Sequence, residues 1–122
     1  MFDLSVKSEF SAAHSLRGYE GKCESLHGHN WRVEVIVVSE RLNKVGIASD
    51  FKKLKKIINA ITNEFDHYHL NKLSFFKKVN PTSENIARYI FTKIKPRLKR
   101  ELVSLKSVSV WESESSKATY YE

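Results

Sequence analysis

The chain has 122 residues, a formal net charge of +7, 41% hydrophobic residues and one cysteine. This length predicts a single small domain over residues 1–122. No apolar run approaches the roughly 20 residues that a membrane span needs, so no membrane partner is expected. No secretory signal is recognisable, and a lone cysteine excludes an internal disulfide. We therefore expect a cytoplasmic protein. The lysines are not interleaved with aromatic residues, so no nucleic-acid partner is expected.

The N-terminal residues predict a half-buried strand. Phe2, Leu4 and Val6 alternate with polar residues and therefore share one face. Residues 11–25 contain two glycines and predict a loop, which leads into a second strand over residues 29–39.

The second strand carries its apolar residues in phase with two histidines. The side chains of this parity are His27, His29, Trp31, Val33, Val35 and Val37. Ile36 and Val38 lie on the opposite face. An apolar end on both faces predicts that the sheet is covered from both sides.

Two helices are predicted next. Asp50 is a good N-cap for the first helix, which is expected to end near Asp66. Its apolar stripe comprises Phe51, Leu54, Ile57, Ile58, Ile61 and Phe65. The second helix begins after Pro81 with Thr82 as its N-cap, and Pro96 is expected to end or kink it. Its stripe comprises Ile86, Ala87, Ile90, Ile94 and Leu98.

Two more strands are predicted, over residues 102–112 and 117–121. The element order is therefore β-β-α-α-β-β. Two helices on one face of a four-stranded antiparallel sheet give an α+β fold.

Three histidines in the first third of the chain suggest a metal site. His27 and His29 are two residues apart in a strand, so both imidazoles point to one face. A loop that folds back can add His14, and three protein ligands with an open position are typical of catalytic zinc. Cys23 lies close by and can serve as a reactive thiolate or as a fourth ligand.

Several motifs together resemble the 6-pyruvoyl-tetrahydropterin synthase and 6-carboxy-tetrahydropterin synthase family. The two most telling are F-x-A-A-H at residues 10–14 and C-x-x-x-H-G-H at residues 23–29. Further matches are D-F-K-K-L-K at 50–55, F-D-H-Y-H-L-N at 65–71, N-P-T-S-E-N at 80–85 and V-W-E-S at 110–113.

The resemblance implies the tunnelling fold (T-fold), in which monomers assemble into a barrel. It implies a homo-oligomer, a trimer stacked into a hexamer. It also implies Zn²⁺ held by His14, His27 and His29, and 7,8-dihydroneopterin triphosphate as the substrate.

The resemblance also assigns roles to six further residues. Cys23 is the proton-abstracting base, and Asp66 with His67 forms an acid–base pair. Glu112 grips the pterin ring, and the hydroxyls of Thr82 and Ser83 contact it.

The spacing of C-x-x-x-H-G-H resembles the 6-carboxy branch, which feeds 7-deazapurine synthesis of the queuosine type. Glu24 also completes E-x-x-H-G-H, which resembles the branch that makes 6-hydroxymethyl-7,8-dihydropterin for folate. Cys23 and Glu24 are therefore predicted to be alternative bases in an enzyme with two products. Two alternatives stay open: a 6-pyruvoyl-tetrahydropterin synthase, and a basic non-catalytic binding module with a structural metal.

Overall fold

Two long antiparallel strands form the centre of the computed structural model, which describes residues 1–21 and 24–122. Strand β1 (Phe2–His14) pairs with strand β2 (His27–Ser39) along its whole length. Both strands alternate buried and exposed residues, as their hydrophobic pattern predicts. The predicted loop between them includes Cys23, which lies outside the described residues.

The register of the hairpin brings the three predicted metal ligands together. His14 lies opposite His27, and Ala12 lies opposite His29. Directly opposed residues of an antiparallel pair project on the same face. The three imidazoles therefore emerge on one face, at the end of the hairpin where the connecting loop joins the two strands.

The sheet has five strands rather than four. Strand β3 (Tyr68–His69) pairs with β1 in parallel, and β4 (Ser104–Ser113) and β5 (Ser116–Tyr120) follow β2 as antiparallel neighbours. The order across the sheet is β3-β1-β2-β4-β5. The four predicted antiparallel strands are all present, and the α+β class is confirmed. The added parallel strand is only two residues long and carries no periodic signal.

Helix α1 (Phe51–Thr62) begins as predicted, because the Asp50 carboxylate accepts the N–H of Lys52. The prediction that it extends to Asp66 is wrong. The chain turns after Thr62 so that Phe65 reaches the core, where its ring lies 5.2 Å from that of Phe10.

One residue of the predicted α1 stripe is exposed, and Ile57 is only half-buried. Phe51 is 53% exposed. It lies at an open depression that Phe2, Leu42 and Ile47 also line. These four side chains form an exposed apolar patch, which we call the Phe51 patch.

Helix α2 (Ser83–Ile94) also has its predicted N-cap, since Thr82 Oγ1 accepts the N–H of Asn85. A 3₁₀ turn (Lys95–Leu98) containing Pro96 follows the helix directly. The five predicted stripe residues of this helix and turn are all buried. Both helices lie on the face of the sheet that carries Trp31 and Val33.

The opposite face of the sheet is polar, so the prediction of apolar cover on both sides is wrong. Arg32 lies 3.8 Å from Glu9, and Ser5 donates a 2.5 Å hydrogen bond to Glu34. Ile36 and Val38 are only half-buried there. Their partners on the neighbouring strands are Ser5, Asp3, Ser107 and Ser104. Within the described residues, neither helix is long and apolar enough to cross a membrane.

Candidate active site and metal centre

Backbone carbonyls orient two of the three histidines. His14 is buried, and its Nδ1 lies 2.8 Å from the carbonyl oxygen of Pro81. His27 Nδ1 lies 2.8 Å from the carbonyl oxygen of Ser25. A carbonyl can only accept, so both Nδ1 atoms must carry the proton. Each Nε2 therefore keeps its lone pair, which is how metal-binding histidines are commonly held.

The two Nε2 atoms point at each other. They are 3.2 Å apart, and an imidazole whose single proton is on Nδ1 has none at Nε2 to donate. Two lone pairs at this distance repel unless a proton or a cation lies with them. The donor set of His14 and His27 thus fits a bound metal ion.

His29 completes this cluster. Burial lowers the pKa of His29; the Glu112 carboxylate opposes this shift, and His14 and His27 add to it. The ring is therefore neutral at pH 7, as a metal ligand must be. Its Nε2 is buried and, among the described residues, makes no hydrogen bond. This orphaned nitrogen is further support for a cation at the cluster.

Glu112 joins the same cluster. One ligand atom from each of His14, His27, His29 and Glu112 lies within 4.8 Å of the others. The family resemblance implies a role for Glu112 on the pterin ring, whereas its proximity to the histidines is not predicted from the sequence. The sequence does contain an indication of this position, because Glu112 alternates in phase with Val108 and Val110. That face of β4 adjoins the histidine face of β2.

Two asparagines clamp the loop that follows His14. Asn71 accepts from the N–H of Ser15 and donates to its carbonyl, at 2.9 and 2.8 Å. Asn80 makes the same pair with Arg17, at 3.0 and 2.9 Å. Each side-chain amide thus makes the two backbone hydrogen bonds that a neighbouring strand would otherwise make. The motif match included both residues, but nothing local in the sequence indicates this role.

Replacing Asn80 by alanine is expected to lower the free energy of unfolding by about 1–3 kcal/mol, because two half-buried backbone groups of Arg17 lose their partner. Urea denaturation measures this. Asn63→Ala is the matched control, since Asn63 is exposed at the end of α1, and its effect should stay within about 0.5 kcal/mol. Equal effects of the two substitutions would contradict the clamp.

Glu24 turns inward from the loop. Its N–H donates to the carbonyl of Leu16, and its Oε1 lies 3.6 Å from His27 Nδ1. That oxygen is buried and has no hydrogen-bond partner in the described part of the chain. Glu24 therefore lies beside a predicted metal ligand rather than in solvent.

Asp66 and His67 form a turn that is docked on β1. Asp66 Oδ1 accepts the N–H of Ser11 at 2.9 Å, and its Oδ2 lies 3.1 Å from His67 Nδ1. The Ser11 hydrogen bond lowers the pKa of Asp66, and His67 lowers it further. His67 has a φ of 63° and is 82% exposed, so its ring faces outward. It lines the same depression as His29.

Thr82 and Ser83 lie at the start of α2, directly after Pro81. The Pro81 carbonyl orients His14, so this end of the helix lies near the histidine cluster. Thr82 Oγ1 is occupied as an N-cap acceptor but keeps its own proton as a donor. Ser83 is buried.

Comparison with known proteins agrees with this architecture. Residues 3–122 match the family model described as 6-pyruvoyl tetrahydropterin synthase. A Synechocystis 6-carboxy-5,6,7,8-tetrahydropterin synthase is 40% identical over 126 residues, covering 99% of this chain and 94% of that protein. A Pyrococcus furiosus dihydroneopterin monophosphate aldolase is 42% identical over 106 residues, covering 87% and 85%.

A solved structure shares the fold across nearly the whole chain. The 6-pyruvoyl tetrahydropterin synthase of Caenorhabditis elegans superposes with a TM-score of 0.85 at 29% identity, covering 99% of this chain and 95% of that one. Sequence and structure therefore lead to one conclusion: the chain belongs to the 6-pyruvoyl tetrahydropterin synthase family, has its tunnelling fold, and is a pterin-forming lyase of the 6-carboxy-tetrahydropterin synthase kind.

Proposed function

We propose that this chain is a zinc-dependent lyase that converts 7,8-dihydroneopterin triphosphate into 6-carboxy-5,6,7,8-tetrahydropterin. The observation that carries the proposal is the convergence of His14, His27 and His29, two of them with Nδ1 atoms held by carbonyls. The relative of that name in Synechocystis, aligned with 99% of the chain, supports the choice of product.

The three histidines hold the ion in this proposal. When bound, zinc supplies Lewis acidity toward the side-chain oxygens of the pterin, which makes protons on the adjacent carbons easier to remove. The carbonyls of Pro81 and Ser25 keep two of the imidazoles oriented, with Nδ1 as the donor and Nε2 toward the cluster. This arrangement holds the ligands ready before the substrate arrives.

Proton transfer is assigned to Cys23 and to the pair of Asp66 and His67. Cys23 is the proposed base, since a cation nearby lowers a thiol's pKa and favours the thiolate. Asp66, ionised and tied to Ser11, holds the imidazole of His67 for proton transfer.

Recognition of the pterin ring is assigned to Glu112, Thr82 and Ser83. A carboxylate accepts two parallel hydrogen bonds from the amino and N–H groups of the ring, as it does from arginine. The hydroxyls at the start of α2 supply donors on the side of the cluster near His14.

A second candidate function is cleavage of dihydroneopterin monophosphate to 6-hydroxymethyl-7,8-dihydropterin, which is a folate-type product. The Pyrococcus furiosus relative named as an aldolase on that compound favours it, and so does the inward position of Glu24. The 6-pyruvoyl activity stays a further alternative. Membership of this enzyme family leaves the non-catalytic binding module without support.

Product analysis distinguishes the two candidates. The zinc-loaded protein is incubated with the triphosphate and, separately, the monophosphate, and the pterins and two-carbon fragments are identified by mass. The proposal predicts 6-carboxy-tetrahydropterin and acetaldehyde from the triphosphate. 6-Hydroxymethyl-7,8-dihydropterin and glycolaldehyde phosphate from the monophosphate alone would favour the second candidate.

We also propose that the working unit is a homo-oligomer, a trimer stacked into a hexamer. Strand β5 is paired only with β4, and β1 has only the two-residue β3 on its other side, so two edges of the described sheet are open. Open edges and the Phe51 patch both favour association. Light scattering at micromolar concentration should show a multiple of 14.2 kDa, and a monomer alone would contradict the proposal.

A further inference from the structure

The carboxylate of Glu112 enters the histidine cluster instead of pointing away from it. Its Oε1 lies 2.9 Å from His29 Nε2 and 3.4 Å from His14 Nε2. A residue that only gripped the pterin ring would have no need of this position.

The spacing is that of ligands around one ion. Zinc with bonds of about 2.0–2.1 Å in a tetrahedron places neighbouring ligand atoms about 3.3 Å apart. The distances here are 3.2 Å between His14 and His27, 3.4 Å between His14 and Glu112, and 2.9 Å between His29 and Glu112. The carboxylate oxygen thus lies at about this spacing from the nitrogens of His14 and His29, and all four ligand atoms lie within 4.8 Å of one another.

A hydrogen bond does not account for this approach. His29 Nε2 makes none with any residue that the structure describes, even though Glu112 Oε1 is 2.9 Å away. The oxygen therefore lies off the direction in which a ring N–H would point. A lone pair on nitrogen and an oxygen this close fit a shared cation.

We propose that Glu112 is the fourth metal ligand in the substrate-free enzyme and leaves the metal to bind the pterin ring. This inference rests on the three-histidine site of the proposed function and adds a ligand exchange to it. Two parallel hydrogen bonds to the ring require both carboxylate oxygens to lie in the plane of the pterin, and this orientation competes with the approach of Oε1 to the metal.

The backbone allows such a movement. The pairing of β4 with β5 shifts register between Trp111 and Ser113, on either side of Glu112, and bulges of this kind redirect side chains. The Glu112 side chain is also 40% exposed, so it has space to turn. The exchange opens the metal to substrate oxygens only when a pterin is present.

The test measures metal binding without turnover. Zinc affinity is determined by competition with a chelator for wild type, Glu112→Gln and Glu114→Gln, where Glu114 is an exposed neighbour. Glu112→Gln should bind zinc at least about tenfold more weakly, whereas Glu114→Gln should match wild type. With Co²⁺ in place of zinc, only the Glu112→Gln spectrum should differ from wild type.

A pterin ring without side-chain oxygens tests the exchange itself. Saturating 6-methyl-7,8-dihydropterin should withdraw Glu112 and weaken metal binding in wild type, but not in Glu112→Gln, because coupling is reciprocal. Equal zinc affinities and Co²⁺ spectra in wild type and Glu112→Gln would overturn this inference and leave the three-histidine site intact. Wild type that binds no metal would overturn that site as well.

Discussion

His27→Ala is expected to lose its metal and, with it, lyase activity. His27 contributes a lone pair that points at His14 Nε2 from 3.2 Å, and alanine has no ligand to replace it. Structural zinc sites gain about 10–16 kcal/mol from four ligands, so one ligand is worth about 3 kcal/mol, or more than a hundredfold in affinity. Metal content per chain, measured by elemental mass spectrometry after dialysis, should fall from one to near zero.

His67→Ala is the matched control for this loss. His67 is exposed and lies outside the four-residue cluster, so the variant should keep its metal while losing activity. Retention of a full complement by His27→Ala would show that the metal is held elsewhere. Loss of metal from both variants would indicate a general folding defect, which circular dichroism would detect.

Replacing each of the two candidate bases, Cys23 and Glu24, by alanine is expected to change which pterin is formed. Cys23→Ala should lose 6-carboxy-tetrahydropterin and keep some 6-hydroxymethyl-dihydropterin, and Glu24→Ala should do the reverse. The Glu24 carboxylate lies beside His27 with a buried oxygen, so it is near enough to act after a side-chain rotation. A general base contributes about 10²- to 10⁴-fold to rate, so each lost product should fall by that factor.

Quantitative mass spectrometry of the pterins gives both yields in one assay. Ser25→Ala is the control, because Ser25 is exposed in the same loop and only its backbone contacts His27. If Cys23→Ala eliminates both products and Glu24→Ala changes neither, Glu24 takes no part in catalysis and the protein makes a single product.

The alternation of residues and the helix-capping residues were enough to predict the strands that carry the histidines and the starts of both helices. Strict alternation in β1 and β2 placed His27 and His29 in phase with Trp31, and the structure has the same phase. The capping residues Asp50 and Thr82 marked the starts of both helices, because their side chains bond the first free backbone N–H groups.

Features that depend on distant contacts were not accessible in this way. Helical periodicity continued to Phe65, but packing on Phe10 required the chain to leave the helix at Thr62. The position of Glu112 among the histidines depends on the pairing of β4 with β2. Paired residues of these strands, such as Arg32 and Trp111, are more than 70 positions apart in the sequence. Tertiary packing overrides local propensity in both cases.

The proposed function is tested most directly by the mass of the pterin that the zinc-loaded protein makes from 7,8-dihydroneopterin triphosphate. We expect 6-carboxy-5,6,7,8-tetrahydropterin, with acetaldehyde and triphosphate released in equal amounts, and none of these from metal-free protein. Recovery of unchanged substrate from protein that carries one zinc per chain would contradict it.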